Sequence, residues 1–285
     1  MKFSLVLATL GRVDEMDRFL DSLVKQTYQD FELIIVDQND DDRLVPILAP
    51  YLNQLSIIHL RSWRGLSRAR NVGLQHASGD VVAFPDDDCW YADKVLEQVK
   101  DKFTKNPQWD GLTGRSTDEN GVDFVKGFSQ QQVLLDRFNV WRQAISITIF
   151  LRRKLVESVG LFDESLGLGS GTIFGSGEET DYLVRAVNTG FHIYYSPDLI
   201  VHHPHPEEII DDRMLTRTFA YGCGMGRVLS KHHYPLWFKA KALIRPLGGA
   251  ALYLGKLSKP KAELHLMRCI GRAKGLFSKM QESGR

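Results

Sequence analysis

Apolar and polar positions change their spacing midway along the 285-residue chain, and that change divides it. In the first half, short runs rich in Val, Ile, Leu and Phe alternate with segments of helical spacing. Phe3–Thr9, Phe31–Val36, Ser56–Leu60 and Val81–Pro85 read as buried strands. Between them, Val13–Lys25 places Met16, Leu20 and Val24 at helical spacing. Leu44–Leu52 predicts a short helix interrupted by Pro46 and Pro50, and Leu66–His76 a helix closed by Ser78-Gly79. Ala92–Lys105 is a helix with apolar Val95, Val99 and Phe103. Short apolar strands alternating with helices predict a mostly parallel central sheet flanked by helices.

The second half is less regular. Residues 116–140 read as a long polar loop region, Ser146–Phe150 as a strand, Glu178–Val187 as a helix stopping at Gly190, and His192–Tyr195 as a further strand. From Asp211 onward only helices are predicted, over 211–232, 236–256 and 260–280. The expected organisation is an α/β domain over residues 1–210 and a helical C-terminal region over 211–285. No run of about 18 apolar residues occurs, so no spanning helix is expected. The best candidate, Ala242–Leu254, is broken by Arg245, Pro246 and Gly248-Gly249. Phe3–Leu10 lacks a small-residue cleavage site and reads as a strand, not as the apolar part of a signal peptide.

Charge changes the picture of the C-terminal region. The whole chain carries +1, but residues 231–285 hold twelve Lys/Arg against Glu263 and Glu282, a net +10 that leaves −9 on residues 1–230. An acidic body with a basic appendage results. The appendage interleaves those cations with Leu236, Trp237, Phe238, Leu243, Leu247, Leu252, Tyr253 and Leu254. Two readings fit: helices lying on an anionic membrane surface, or a hairpin packed on the first domain with a solvated basic face. Gly222-Cys223-Gly224-Met225-Gly226 follows a helical pattern and lacks dinucleotide-binding spacing, so it reads as close helix packing. No nucleic-acid-binding motif is present, and no nucleic-acid partner is expected. Cys89, Cys223 and Cys269 are far apart and form no CxxC pair, which fits a reducing compartment and neither a disulfide framework nor a zinc cluster.

Candidate chemistry gathers at the strand ends, where open parallel sheets bind ligands. The first strand ends at Ala8-Thr9, the second at Asp37 followed by Gln38-Asn39-Asp40-Asp41-Asp42, and the fourth at Asp86-Asp87-Asp88. Three adjacent carboxylates repel one another unless something positive sits among them. Two acidic clusters on one rim suit a hard cation, Mn²⁺ or Mg²⁺. Such an ion could bridge a diphosphate and neutralise it as a leaving group. The alternative for the triplet is a solvated acidic turn.

The segment Val81-Val82-Ala83-Phe84-Pro85-Asp86-Asp87-Asp88-Cys89-Trp90 resembles the acidic DxD segment of family 2 glycosyltransferases with the GT-A fold. Ser4–Thr9 resembles that family's first strand and nucleotide-contacting turn, Phe31–Asp42 its second strand, and Gly65–Gly73 the helix start before the DxD strand. Gly177-Glu178-Glu179-Thr180-Asp181 resembles its acidic acceptor-side motif, and the likeness runs in order over roughly residues 3–205. The resemblance implies a GT-A-like α/β fold and an inverting, metal-dependent glycosyltransferase of surface-polysaccharide or glycolipid assembly. Its donor would be a nucleotide sugar, a UDP-sugar first among them, and its acceptor a glycan or lipid-linked glycan. It would be cytoplasmic or peripheral on the inner face of the cell membrane. The resemblance implies that Thr9 and Asp87 join the donor site, Asp37 holds the nucleobase, Asp86 contacts the ribose and Arg70 lies near the nucleotide. It gives Asp88 to the metal, with His203 of His202-His203-Pro204-His205 as a further ligand. The alternatives are an Asx-turn for Asp37, a surface ion pair for Arg70 and a surface cluster for the histidines.

Inverting transfer also needs a carboxylate that takes the acceptor hydroxyl's proton. The family usually presents Glu-Asp; this chain has Glu178-Glu179, one methylene longer at the second position. Glu179 is the expected base and Asp181 its rival, against the plainer reading that acids favour a helix start for dipole reasons. Gly-rich 167–177 suits a loop that closes over substrate. Two other functions fit the sequence less well. The intact acidic sets argue against a non-catalytic nucleotide-sugar-binding scaffold. Leu10-Gly11-Arg12 is too short for the phosphate loop of a sugar nucleotidyltransferase.

Overall fold

The computed structural model describes residues 1–205 and 209–278. They form two compact units: Met1–Phe162 with Tyr182–Pro206, and Asp163–Asp181 with Glu207–Arg285. In the first, β1 (Phe3–Thr9), α1 (Asp14–Val24), β2 (Phe31–Asp37), α2 (Val45–Leu48), β3 (Ile57–Arg61), α3 (Leu66–His76) and β4 (Val81–Ala83) alternate as the apolar spacing predicts. Then come β5 (Trp90–Tyr91), α4 (Val95–Lys105), β6 (Gly111–Thr117), β7 (Val133–Leu134), α5 (Val140–Gln143), β8 (Phe150–Arg152) and α6 (Arg153–Val159). After α7 (Glu178–Asn188), which crosses from the second unit into the first, β9 (Ile193–His202) completes the sheet.

The nine strands order as β3-β2-β1-β4-β8-β6-β9-β5, with β7 also on β9. The first four are mutually parallel. β8 then runs antiparallel to both β4 and β6, β6 and β9 are parallel, and β5 and β7 oppose β9. Leu5, Leu7, Leu33 and Ile35 enter one apolar cluster, with Phe19 and Leu20 of α1. Val6, Ile34 and Val36 enter the other, with Ala69 of α3. Alternate residues thus point to opposite faces and both faces are covered, which is why β1 and β2 read as continuous apolar runs. Thr9 pairs with Asp37 and Asp37 with Arg61, so the C-terminal ends of β1, β2 and β3 come out level.

A buried carboxylate ties the opposite ends together. Glu32 accepts from Ser4 Oγ, Ser78 N and Lys2 Nζ, each at 2.6 Å. Burial opposes its ionisation, but these donors outweigh it and hold its pKa down at about 2. A carboxyl depressed in the folded state stabilises above its unfolded value and loses that contribution as pH falls toward the folded one. Glu32→Gln is therefore expected to cost about 1–3 kcal/mol at neutral pH and to flatten the acid limb of a stability curve between pH 4.5 and 2. Denaturant melts across that window check it.

The structure departs from the sequence expectation in several places. β6, Gly-Leu-Thr-Gly-Arg-Ser-Thr, was not expected, yet it is an interior strand. Its hydroxyls are buried, Thr113 Oγ1 donating to the Gln143 carbonyl at 2.7 Å. Gly114 marks a register shift against β9, where a Cβ would run into the Leu199 carbonyl. Ser146–Phe150 divides into a 3-10 turn at Ser146–Thr148 and the start of β8. β9 runs through Pro197 to His202, beyond the expected end at Tyr195. Residues 116–140 also hold the short β7 and the start of α5.

In the second unit, residues 163–181 join α8 (Asp212–Lys231), α9 (Leu236–Gly255) and α10 (Lys259–Phe277). The last two residues of the helix expected over 260–280 lie outside the described residues. Asp211 caps α8, its carboxylate accepting from Met214 N at 2.7 Å. Gly222 and Gly226 of α8 face Gly271 and Gly275 of α10. A Cβ at Gly226 would strike the Arg272 carbonyl, and one at Gly275 the Cys223 carbonyl. The Gly-rich run of α8 is thus close helix packing, as its pattern predicts. Among the described residues, no helix is long and apolar enough to cross a membrane.

Candidate functional site

The rim beyond β1 and β4 brings together Thr9, Asp86, Asp87 and Asp88 with the guanidinium groups of Arg12 and Arg70 and the imidazole of His203. Thr9 Oγ1 donates to Asp87 Oδ2 at 2.6 Å. Arg12 Nη1 donates to Asp87 Oδ1 at 2.7 Å and also pairs with Asp88 Oδ2. His203, just past the end of β9, puts Nε2 3.1 Å from Asp88 Oδ1. That is the distance of an ion pair, and Oδ1 is buried with no hydrogen-bond partner of good geometry. Arg70, on α3, is 2% exposed, not a surface cation. Its Nη2 donates to Ser146 Oγ at 2.5 Å and approaches Asp86 Oδ1 at 3.5 Å, with Phe84 and Phe162 beside the guanidinium.

These contacts set different protonation tendencies along the triplet. Crowding by protein pushes the Asp86 carboxyl up to about 6, aided by repulsion from Asp88 and Asp87 and opposed by Arg70. Its side chain stays 36% exposed, open to a ligand. Burial also raises Asp87, against the pull of Thr9 and Arg12. For Asp88 burial is outweighed by His203 and Arg12, and the carboxyl stays below its ordinary range. His203 is raised in turn, because its pairing with Asp88 exceeds the cost of burial. The triplet is a charged cluster held by cations rather than a solvated turn.

Asp37 stands at the end of the neighbouring strand in a cluster of its own. Its Oδ1 accepts from Asn39 N and Nδ2, both at 2.8 Å, which is an Asx-turn. Its Oδ2 faces Arg61 Nη1 at 3.0 Å and His59 Nε2 at 3.1 Å. Gln38 Oε1 accepts from Gly65 N at 2.7 Å, and Gly65 takes a φ of 136° that suits only glycine. The start of α3, which carries Arg70, is thereby fixed to the end of β2.

In the second unit, the Gly-rich segment is tied to α8. Gly175 N donates to the Ala220 carbonyl at 3.1 Å and Ser176 Oγ to the Tyr221 carbonyl at 3.0 Å. Gly177 precedes α7 at a φ of 95°. Two of the acids that follow it are placed very differently. Asp181 is fully buried, with Lys231 Nζ and His232 Nε2 each 2.8 Å from Oδ1. Glu179 is only half-buried.

Arg12, Ser146, His59 and Arg61 were not singled out from sequence. Arg12 follows a glycine at a strand end, the one signal that marks it; Ser146 opens a stretch that reads as a strand. Among the described residues no three of His, Cys, Asp and Glu converge as a metal cage.

The mixed α/β sheet, with a carboxylate rim at its strand ends, has the GT-A fold of glycosyltransferases. The model of glycosyl transferase family 2 matches residues 4–157, and the chain belongs to that family. It is 24% identical over 272 residues to glycosyltransferase AglE of Haloferax volcanii, covering 90% of this chain and 82% of that one. A PGL/p-HBAD biosynthesis glycosyltransferase of Mycobacterium bovis is 31% identical over 169 residues, covering 56% of this chain and 63% of its own length. In fold it is similar to S. aureus TarS 1–349 in complex with UDP-GlcNAc, with a TM-score of 0.63, 19% identity and 97% and 88% of the two chains covered. The mannosyltransferase PcManGT of Pyrobaculum calidifontis in complex with GDP-Man and Mn²⁺ gives 0.64, 17% identity, 98% and 88%.

Proposed function

We propose that this glycosyltransferase moves a sugar from a nucleotide-sugar donor to an acceptor hydroxyl with inversion, using a divalent cation held at the Asp86–Asp88 rim. The observation that carries the reading is Asp88 Oδ1, buried and without a hydrogen bond beside two more carboxylates and an imidazole. That donor set suits Mn²⁺ or Mg²⁺, and Asp88 and His203 would hold the ion. Such ions commonly take few protein ligands and complete their shell with substrate phosphates, which agrees with the lack of a three-residue cage among the described residues. When bound, the cation neutralises charge developing on the leaving diphosphate.

The chain's own groups do the rest. Asp86, still accessible, accepts from the donor's ribose, and Thr9 orients Asp87 beside it. Asp37 shapes the base pocket through its turn and through His59 and Arg61. Arg70, held by Ser146, keeps a fixed positive charge under the nucleotide. Glu179 takes the proton of the attacking hydroxyl, because Asp181 is committed to Lys231 and His232. A UDP-sugar donor and a glycan or lipid-linked acceptor follow from the family likeness, supported by the UDP-GlcNAc and GDP-Man complexes of proteins of the same fold.

Thermal melting with UDP or GDP, with and without Mn²⁺, tests this. A ligand at a hundred times its Kd adds about 2.7 kcal/mol, so nucleotide plus Mn²⁺ is expected to raise the melting point by roughly 5 °C or more. Either component alone should give much less. No shift with any nucleoside diphosphate and Mn²⁺ would refute the donor-site assignment.

A further inference from the structure

We infer that the outward face of α9 is a docking surface for an anionic lipid bilayer, with the helix lying in the plane of the interface. At about 1.5 Å per residue, its twenty residues span about 30 Å. Leu236, Ala240, Ile244, Leu247, Ala251 and Leu254 recur at three- and four-residue steps and are all exposed, as is Trp237 alongside them. They form one apolar stripe along the whole helix, while Ala242, Pro246 and Ala250 face inward. Leu236, at the start, is 83% exposed.

The turn that follows adds an independent sign. Leu257 is 91% exposed and sits at a φ of 56°. A leucine in the left-handed region is strained, and glycine or asparagine would serve that turn better. An apolar side chain kept there, at full exposure and against backbone preference, extends the same apolar surface past the end of α9.

Charge decides the occupant. Lys241 and Arg245, one turn apart and both exposed, lie beyond Trp237 on the outward side of the stripe; α9 contains no acid. The region 231–285 carries +10 in all. A second copy of this face would set cations against cations with no carboxylate on the helix to pair them. An anionic lipid surface meets both features, taking the apolar stripe among acyl chains and Lys241 and Arg245 at headgroup level. The stripe occupies only part of the helix circumference, so the helix rests on the interface rather than spanning it.

The test uses the full chain with phosphatidylcholine vesicles, with and without phosphatidylglycerol. Co-sedimentation is expected to be at least about tenfold stronger on the anionic vesicles and to weaken as salt is raised. Tryptophan emission should shift to the blue on binding, and Trp237→Phe should remove most of that shift. The double variant Ile244→Glu, Leu247→Glu should lose about tenfold or more in binding while its circular dichroism and melting point stay unchanged, since both side chains are exposed. The inference is overturned if the double variant binds as the parent does. It is equally overturned if the parent ignores vesicles and light scattering shows a dimer that the double variant splits, because α9 would then join two copies.

Discussion

Asp88→Ala is expected to lower sugar transfer by roughly a thousandfold or more, the scale of losing a group that stabilises transition-state charge. The carboxylate removed is the one whose Oδ1 has no hydrogen-bond partner inside the protein and lies against His203. The fold should survive with a modest loss of stability. The substitution relieves repulsion within Asp86-Asp87-Asp88 but removes the pairing with His203 and Arg12 that holds Asp88 below its ordinary range; Arg12 keeps its bond to Asp87, and Thr9 keeps its own. Initial-rate assays, melting curves and Mn²⁺ titration by electron paramagnetic resonance separate the possibilities. Lost Mn²⁺ binding with a melting point only slightly lowered is the expected pattern. An active variant, or an inactive one that still binds Mn²⁺ as the parent does, removes Asp88 from the metal's ligands.

Glu179→Gln should reduce transfer by about a hundred- to ten-thousandfold, the usual worth of a general base, with the nucleotide-induced rise in melting point intact. Asp181→Asn should behave differently. Its fully buried carboxylate accepts from Lys231 and His232, and the amide cannot replace both contacts, although Lys231 keeps Asp163 at 2.6 Å. Losing a buried charged acceptor costs about 1–3 kcal/mol, so the variant should melt earlier, and its loss of activity should follow its loss of folded protein. Should Asp181→Asn be as stable as the parent and inactive while Glu179→Gln turns over, the two acids exchange roles.

The parallel half of the sheet was legible because its strands are buried on both faces and therefore apolar throughout, as Phe3–Thr9 and Phe31–Asp37 are. β6 was not, because its interior position is satisfied by hydroxyls and glycines, which spell a loop when read alone. The extent of β9 was hidden by Pro197, which interrupts the pattern but not the strand. In the site, the carboxylates stood out because three in a row demand an explanation. The cations that answer them were legible only in part: the family resemblance marked His203 and Arg70, but nothing marked Arg12 as their partner. Arg12 and His203 reach the triplet from 75 and 115 positions away in sequence, and local spacing alone carries no trace of such contacts. The commitment of Asp181 to Lys231 and His232 likewise depends on a helix some fifty residues further on.

The crossing of α8 and α10 has a consequence for how the C-terminal helices can move. Gly222 and Gly226 on one helix meet Gly271 and Gly275 on the other, main chain against main chain. Sliding either helix by one residue would bring a side chain into a gap that holds none, so intermediate alignments are excluded. The pair works as a ratchet with one tooth: seated, or fully apart.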